Sequence, residues 1–177
     1  MISRLHGAAS FSPVAEAGSC QSATFSDAAL VLIGHGSTLN GESAAPTYQH
    51  ADALRQRGMF AQVLEGFWKQ EPGLAGVLRG AFAPRVFIVP LFISEGYFTE
   101  EVIPRELGVP AGPAPACLRT WSRGGQILHY CRPVGTHDAM TQVLLARAQE
   151  VVQPFPAAPP PSETALFIVG HGTGNHE

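Results

Sequence analysis

With 177 residues, of which 45% are hydrophobic, the chain is long enough to bury the core of one normal-sized domain. Its formal net charge of −3 gives no electrostatic case for nucleic-acid binding. It contains no apolar run long enough to predict a membrane span. Its three cysteines, Cys20, Cys117 and Cys131, form no C-x-x-C pair, which argues against a disulfide framework and favours a reducing, cytoplasmic location.

Short apolar runs alternate with helix-like segments along the chain. The strands are predicted at residues 28–34, 60–67, 86–93, 126–133 and 165–170. The helices are predicted at residues 43–57, 71–79, 99–107 and 139–152. This alternation is typical of a three-layer α/β fold, in which a parallel sheet carries helices on both faces.

The segments between these elements set the expected domain boundaries. Residues 1–27 are rich in Ser, Ala and Gly without periodicity, and we expect a poorly ordered leader there. Residues 108–125 are rich in Pro and Gly and predict a long loop, whereas residues 153–163 predict a proline-rich linker. The folded α/β domain is therefore expected at residues 28–152.

Two stretches of the chain nearly repeat each other. Residues 29–37 (ALVLIGHGS) are echoed by residues 165–173 (ALFIVGHGT), and each apolar run ends in Gly-His-Gly-Ser/Thr. The two histidines, His35 and His171, lie about one domain length apart. We interpret residues 164–177 as the first strand of a truncated second repeat, which should pair with a sheet edge or with another molecule.

His35 is the first candidate functional residue because it follows a buried strand directly. Its flanking glycines let the backbone turn and a ligand approach, and ligands of open α/β sheets bind at this end of the strands. A neutral imidazole binds Co²⁺, Ni²⁺, Fe²⁺ or Zn²⁺ and can also accept a proton. The alternative is a turn residue that only ends the strand, and the second copy at His171 favours the functional interpretation.

The loop after the third predicted strand, SEGYFTEE, is the second candidate. Glu95, Glu100 and Glu101 can ligate a metal or accept a proton, and Tyr97 and Phe98 can stack on a flat ligand. The alternative for the glutamates is a solvated helix start favoured by the helix dipole.

The turn after the fourth predicted strand, GTHD at residues 135–138, is the third candidate. His137 can reach the same crevice, or the turn can simply precede the last helix. His129 lies inside a strand and is expected to be a core histidine. Because the phosphate-binding motifs G-x-x-x-x-G-K-[ST] and G-x-G-x-x-G are missing, a phosphate-bearing ligand bound by backbone N–H groups of residues 34–37 stays only an alternative.

Four ordered segments together resemble the class II tetrapyrrole chelatases, most closely the sirohydrochlorin cobaltochelatases of vitamin B12 biosynthesis. They are LVLIGHGSTLNGES, EPGL, VPLFISEGYFTEEVIP and RPVGTHDAM. The resemblance covers residues 28–152. It implies a flavodoxin-like parallel sheet and the insertion of a divalent metal into a tetrapyrrole without ATP, with Co²⁺ as the metal and Ni²⁺ or Fe²⁺ as alternatives. In this family two halves face each other around the macrocycle, which implies a homodimer or a second fused repeat.

The resemblance also assigns roles to particular residues. His35 matches the family's first metal-binding histidine, whereas Phe98 occupies the position of the second, in Gly96-Tyr97-Phe98. The metal would then be held by His35 with a loop glutamate or with the other copy at His171, or the chain would be a non-catalytic binding relative. The residues expected to bind the macrocycle or its carboxylates are Ser37, Phe92, Tyr97, Phe98, Arg105, Arg119, Arg132 and His137.

Overall fold

A five-stranded sheet organises the computed structural model, which describes residues 25–109, 118–152 and 159–170. The strands are β1 (Phe25–Gly34), β2 (Phe60–Phe67), β3 (Arg85–Pro90), β4 (Leu118–Arg123) and β5 (Gln126–Cys131). The α-helices are α1 (Ala45–Arg57), α2 (Leu74–Val77), α3 (Ile103–Leu107) and α4 (Met140–Val152). Shorter turns of 3₁₀-helix lie at Gly41–Ala44, Leu78–Gly80, Val134–Thr136 and Pro161–Glu163, and a π-helix spans Phe98–Val102.

The strand order is β2-β1-β3-β5-β4, and all pairs are parallel except β4 with β5. The α/β fold with helices on both faces is confirmed, but the sheet is not wholly parallel. The loop expected at residues 108–125 was wrong in its second half, where β4 forms a hairpin with β5. Gly124 and Gly125, with φ of 56° and 83°, make the tight turn between them.

Three strand boundaries also differ from the predictions by two or three residues, and one of them is the end of β5 at Cys131 rather than at residue 133. β1 begins at Phe25, inside the segment expected to be a leader, because Phe25 stacks on the Phe60 ring at 5.1 Å and extends the pairing with β2. β3 ends at Pro90 rather than at residue 93, since proline has no N–H with which to continue the ladder. Residues 1–24 lie outside the described residues.

One face of the sheet, which we call the covered face, carries the larger core. Parallel strands alternate their side chains between the two faces. The sheet residues of the covered face are Ala29, Val31, Ile33, Leu64, Val86, Ile88, Leu128 and Tyr130. They pack against α2, α3 and the turn after α2 through Leu74, Val77, Leu78, Ile103 and Leu107.

The opposite face, which we call the half-open face, carries Leu30, Leu32, Val63, Phe87, Val89, Ile127 and His129. Ala51 and Leu54 of α1 cover its β1–β2 end. No helix of the described residues covers its β3–β5 end. α4 has no buried residue and makes no more than isolated contacts with the other elements described.

The second copy of the repeated segment looks different from the first. Residues 164–170 form no strand, and Leu166, Phe167, Ile168 and Val169 are each more than half exposed. Residues 153–158 and 171–177 lie outside the described residues, so the linker and second-repeat interpretation stays a prediction. Among the helices described, none has the length and apolar character needed to cross a membrane.

Candidate functional site

His35 lies at the carboxyl edge of the sheet, where β1, β2 and β3 end side by side. Gly34 pairs with Phe67 of β2, and Ile33 pairs with Pro90 of β3. A Cβ on Gly34 would approach Thr47 Oγ1 at 2.8 Å, and one on Gly36, whose φ is 68°, would approach Gln70 Cγ at 2.8 Å. Both glycines are therefore required by the close packing around His35.

The His35 imidazole is exposed and has a defined tautomer. Its Nδ1 lies 2.8 Å from the carbonyl oxygen of Gly36. Because a carbonyl oxygen can only accept, the hydrogen-bond network assigns the proton to Nδ1. The neutral ring therefore presents an Nε2 lone pair to solvent, which can bind a metal ion or accept a proton.

Two aromatic rings, Trp68 and Phe98, lie next to this imidazole, and a third, Phe92, stacks on Phe98. We call Trp68, Phe92 and Phe98 the aromatic wall. The His35 ring centroid lies 5.3 Å from that of Trp68 and 5.4 Å from that of Phe98. Trp68 contacts Phe98 edge-on at 4.5 Å, and Phe98 stacks on Phe92 at 6.0 Å. Phe98 is thus next to His35, as the resemblance implies, but contributes an apolar ring instead of a second imidazole.

The residues after β2 were missed by the sequence analysis, although they complete the surroundings of His35. The Lys69 N–H donates to the His35 carbonyl oxygen at 2.9 Å, and the Gln70 side-chain oxygen accepts from the Ser37 N–H at 3.1 Å. The Lys69 ammonium lies 3.5 Å from the centroid of the Trp68 ring. An adjacent cavity of about 420 Å³ is lined by Phe67, Trp68, Lys69, Gln70, Glu71, Gly73, Leu74, Ala75 and Glu106.

Two of the three candidate glutamates form ion pairs with arginines. Glu95 accepts from Arg132 Nε at 2.6 Å, and Glu100 accepts from Arg119 Nη2 at 2.6 Å. The oxygens of these carboxylates are therefore partly occupied by N–H donors. Glu101 is exposed and has no ion pair within the described residues, which makes it the most available carboxylate of the loop.

The same ion pairs affect the arginines expected to bind substrate carboxylates. Arg119 and Arg132 already neutralise loop glutamates. Arg105 of α3 lies 3.4 Å from Glu106 and shares a cavity of about 300 Å³ with Arg123. This cavity adjoins the one beside Trp68, with which it shares Leu74, Ala75 and Glu106. It extends from there toward Arg123, which pairs with Gln126 at the start of β5.

Ser37 has a local structural role in addition to any contact with a ligand. Its Oγ accepts from the N–H groups of Leu39 and Asn40, both at 3.1 Å, while its own N–H donates to Gln70. Of the N–H groups at residues 34–37, that of Ser37 is therefore already used within the protein. This removes one donor from the alternative in which residues 34–37 bind a phosphate through backbone N–H groups.

The turn after β5 lies against the loop that carries the aromatic wall. The Gly135 N–H donates to the Phe92 carbonyl oxygen at 2.9 Å, and a Cβ at Gly135 would lie 2.1 Å from the Ile93 carbonyl oxygen. His137 in this turn is exposed, and its Nδ1 accepts from the Ala139 N–H at 3.1 Å. Its neutral ring therefore carries the proton on Nε2 and presents a donor, the opposite of His35.

His129 lies only partly buried on β5, face to face with the Phe87 ring at 4.7 Å. Burial and the positive charge of Arg85 lower the pKa of His129. Its Nδ1 lies 3.0 Å from the Thr120 hydroxyl oxygen. His129 therefore lies within the sheet, as expected, but at a partly exposed position rather than in the core.

The described residues supply an incomplete set of metal ligands. Within residues 25–109, 118–152 and 159–170, no three His, Cys, Asp or Glu side chains lie together as a metal site. His35 therefore offers a single ligand nitrogen from this part of the chain. His171, the second predicted metal ligand, lies outside the described residues.

Comparisons with known proteins agree with the resemblance. Residues 29–151 match the family model CbiX. A probable sirohydrochlorin cobaltochelatase of Halobacterium salinarum is 43% identical over 163 residues, which cover 84% of this chain and 53% of that protein. A sirohydrochlorin cobaltochelatase of Methanococcus maripaludis is 33% identical over 140 residues, which cover 68% of this chain and 96% of that protein.

A solved structure is also similar. The multi-domain protein of Deinococcus radiodurans, described as structurally similar to chelatases with two additional novel domains, is 48% identical with a TM-score of 0.66. The match covers 70% of this chain and 28% of that one. The chain thus spans about half of the halobacterial protein, at 53%, and a smaller part of the deinococcal one.

Proposed function

We propose that this chain, which belongs to the CbiX family, inserts a divalent metal ion into a tetrapyrrole without ATP, with Co²⁺ as metal and sirohydrochlorin as macrocycle. The names of the halobacterial and methanococcal relatives support this substrate pair. The observation that carries the proposal is the His35 imidazole, whose Nε2 lone pair is exposed beside the aromatic wall.

Metal insertion requires a group that replaces water on the ion before the ring nitrogens do. Neutral His35 suits this step because its proton is held on Nδ1 by the Gly36 carbonyl oxygen and Nε2 stays free. Imidazole binds Co²⁺, and Ni²⁺ and Fe²⁺ are the alternative ions. A second ligand would come from the second repeat, at His171, or from a second copy of the chain.

The macrocycle needs a flat apolar surface and donors for its peripheral carboxylates. Trp68, Phe92 and Phe98 offer aromatic faces near His35, and the exposed Tyr97 extends them. The Nε2–H of His137 and the ammonium of Lys69 are available donors on this edge. Ser37 and Arg105 remain proposed substrate contacts. Lys69 is the better supported cation for a substrate carboxylate, because its ammonium lies beside the Trp68 ring.

The reaction releases two pyrrole N–H protons for each metal ion inserted, so a base must receive them. We assign this role first to Glu101, because Glu95 and Glu100 are paired with Arg132 and Arg119. His35 cannot hold the metal and accept a proton on the same Nε2 atom at once. A carboxylate base therefore complements it.

A second candidate function is non-catalytic binding of a metal or tetrapyrrole. The phenylalanine at position 98, where the family pattern has a histidine, favours it. The part of the chain described in the structure then supplies binding surface but only one imidazole ligand.

The test is a visible-absorption time course of sirohydrochlorin with Co²⁺, with and without the protein. We expect the wild-type chain to accelerate the spectral change and His35→Ala to abolish the acceleration. His50→Ala, which removes an exposed imidazole from α1, is the matched control and should keep the wild-type rate. If the wild type binds Co²⁺ or sirohydrochlorin without accelerating the change, the second candidate function is correct.

Two further variants separate the proposed roles. Glu101→Gln should slow insertion more than Glu95→Gln, whose carboxylate is held by Arg132. His171→Ala should weaken Co²⁺ binding, measured by titration calorimetry, if the second copy of the motif supplies a ligand. Unchanged binding would assign the second ligand to another copy of His35 or to solvent.

A further inference from the structure

The helical segment after β3 contains a π-helical turn, Phe98–Val102, which places Phe98 beside His35. In an α-helix each carbonyl oxygen accepts from the N–H four residues further on, whereas in a π-helix it accepts from the fifth. Here the Ile103 N–H donates to the Phe98 carbonyl oxygen, five residues before it. The Thr99 carbonyl oxygen, which would accept from Ile103 in an α-helix, therefore loses this donor.

The next residue in the chain, Pro104, cannot replace the lost donor. Its backbone nitrogen is five residues after Thr99 and four after Glu100, but proline has no N–H. Thr99 is only 1% exposed, so its surroundings offer little access to water. Because a buried carbonyl oxygen without a donor is costly, the Thr99 carbonyl needs a donor from outside the helix.

Side chains of the two neighbouring strands supply donors to this segment. The Tyr130 hydroxyl of β5 donates to the Thr99 carbonyl oxygen at 2.6 Å. Burial and the negative charge of Glu100 raise the pKa of Tyr130, so its hydroxyl keeps the proton that it donates. Arg119 of β4 donates to the Glu100 carbonyl oxygen at 3.4 Å and to the Glu100 carboxylate at 2.6 Å. Together they complete hydrogen bonds that the helix leaves open.

These hydrogen bonds bear on the position of Phe98. If the segment returned to α-helical pairing, the residues before the change would rotate about the helix axis relative to α3. Ile103 and Leu107 of α3 are buried in the core, so the rotation would fall on the end that carries Phe98. The Phe98 ring would then leave its contacts with His35 and Trp68.

We propose that Tyr130 and Arg119 are positioning residues for the metal-insertion site. They supply donors in place of the N–H that Pro104 lacks, hold the π-helical turn, and so keep Phe98 against His35. Their effect on catalysis rests on the proposed function, whereas their effect on the position of Phe98 does not.

Fluorine NMR of the protein labelled with 5-fluorotryptophan measures the position of Phe98 independently of activity. Trp121→Phe leaves Trp68, which contacts Phe98 edge-on, as the one tryptophan, and Phe98→Ala gives its resonance without the neighbouring ring. We expect Tyr130→Phe to move the Trp68 resonance toward that of Phe98→Ala. Tyr48→Phe, which removes a hydroxyl from α1, is the matched control and should leave the resonance in place.

Arg119→Gln is a second variant, at a side chain that is less buried than Tyr130. It should move the Trp68 resonance in the same direction by a smaller amount, and it keeps the proposal testable if Tyr130→Phe does not fold. A Trp68 resonance that stays in place in both variants would overturn the proposal.

A double variant tests the part that Pro104 plays. Pro104→Ala restores a backbone N–H, which can donate to the carbonyl groups of the turn. The change in the Trp68 resonance caused by Tyr130→Phe should therefore be smaller in the Pro104→Ala protein than in the wild type. Equal changes in both backgrounds would show that Tyr130 does not replace a donor that proline lacks, and would also overturn the proposal.

The kinetics of metal insertion test the consequence for the reaction. We expect Tyr130→Phe to lower kcat for Co²⁺ insertion into sirohydrochlorin about tenfold, because small displacements in a site are costly in rate. The Kd for Co²⁺, measured by calorimetry, should stay unchanged, since the His35 ring is held by the Gly36 carbonyl oxygen. Tyr48→Phe should keep the wild-type kcat.

The two readouts separate failure of this proposal from failure of the proposed function. A moved Trp68 resonance with an unchanged kcat would uphold the link to Phe98 and overturn its role in catalysis. If the wild type does not insert Co²⁺, the proposed function fails, while the resonances of the variants still decide whether Tyr130 and Arg119 position Phe98.

Discussion

The two faces of the sheet receive alternate residues of the same strands, yet the described part of the chain fully covers only one of them. On β5, Leu128 and Tyr130 are 1% and 3% exposed on the covered face, whereas Ile127 between them and the hairpin turn is 45% exposed on the half-open face. The residue types on the two faces are similarly apolar. The difference therefore comes from which of the described helices pack on each face, because α2 and α3 cover one face and α1 covers the β1–β2 end of the other.

Truncating neighbouring residues on the two faces should give the largest contrast. Leu128→Ala removes buried methyl groups from the covered face, and we expect it to lower the free energy of unfolding by about 2–5 kcal/mol. Ile127→Ala should cost less than about 1 kcal/mol in a monomer, because its side chain is half in water already. Urea denaturation monitored by circular dichroism measures both values. Equal costs for the two variants would contradict the difference between the two faces, because they would mean that Ile127 is as well buried as Leu128.

We expect the next largest loss of stability from a substitution at the carboxyl edge of the sheet, next to His35. Gly36→Ala must hold a side chain at φ 68° and must displace Gln70, which binds the Ser37 N–H. Gly58→Ala, at φ 60° with open space around it, measures the backbone cost alone. We expect about 1 kcal/mol for Gly58→Ala and about 2–3 kcal/mol for Gly36→Ala by thermal unfolding. If the two substitutions lowered the stability by similar amounts, the close contact between Gly36 and Gln70 would not be the cause of the loss.

A hydrogen bond under the covered face gives a smaller effect. The Tyr130 hydroxyl donates to the Thr99 carbonyl oxygen at 2.6 Å, in the helical segment that carries Phe98. Tyr130→Phe should cost about 1–2 kcal/mol because the buried carbonyl loses its donor. It should also change the fluorescence of Trp68, which contacts Phe98. Tyr97→Phe, at a residue that is 63% exposed, is the control and should change the stability little.

The parts of the fold that follow local patterns were predictable from the sequence. Apolar runs located β1, β2, β3 and β5, and the helix at residues 139–152 was found within one residue of α4. β4 was missed because its sequence, LRTWSR, has only two apolar residues and no regular alternation, and it follows a stretch rich in proline and glycine. The Gly124-Gly125 pair was the available signal for its hairpin.

The repeated segment shows the limit of such patterns. Residues 29–34 and 165–170 have nearly the same sequence, yet the first forms the buried centre of the sheet and the second forms no strand. A strand is stable only when neighbouring strands and helices bury it. The sequence alone shows that both segments tend to form a strand, but it does not show which strands and helices pack against them.

The candidate site was predicted at His35 because the Gly-His-Gly motif is repeated. Trp68, Lys69 and Gln70 were missed, since their relevance depends on β2 lying beside β1. The Glu100–Arg119 pair joins the loop after β3 to β4, and nothing in the local sequence predicts that contact. Contacts between side chains of different strands could therefore be identified only from the structure.

Acid titration of His129 provides the smallest and most specific test of the half-open face. Burial and the positive charge of Arg85 lower the pKa of His129 below the ordinary histidine value of 6.5, so the folded protein favours the neutral ring. The stability that this provides is fully present above pH 6.5 and is lost as the pH falls through the lower folded pKa. We therefore expect the free energy of unfolding of the wild type, relative to that of His129→Gln, to decrease as the pH falls. The other histidines are present in both proteins, so their titration does not contribute to this difference. A difference that stays constant as the pH falls would mean that neither burial nor Arg85 acts on His129 in the folded protein.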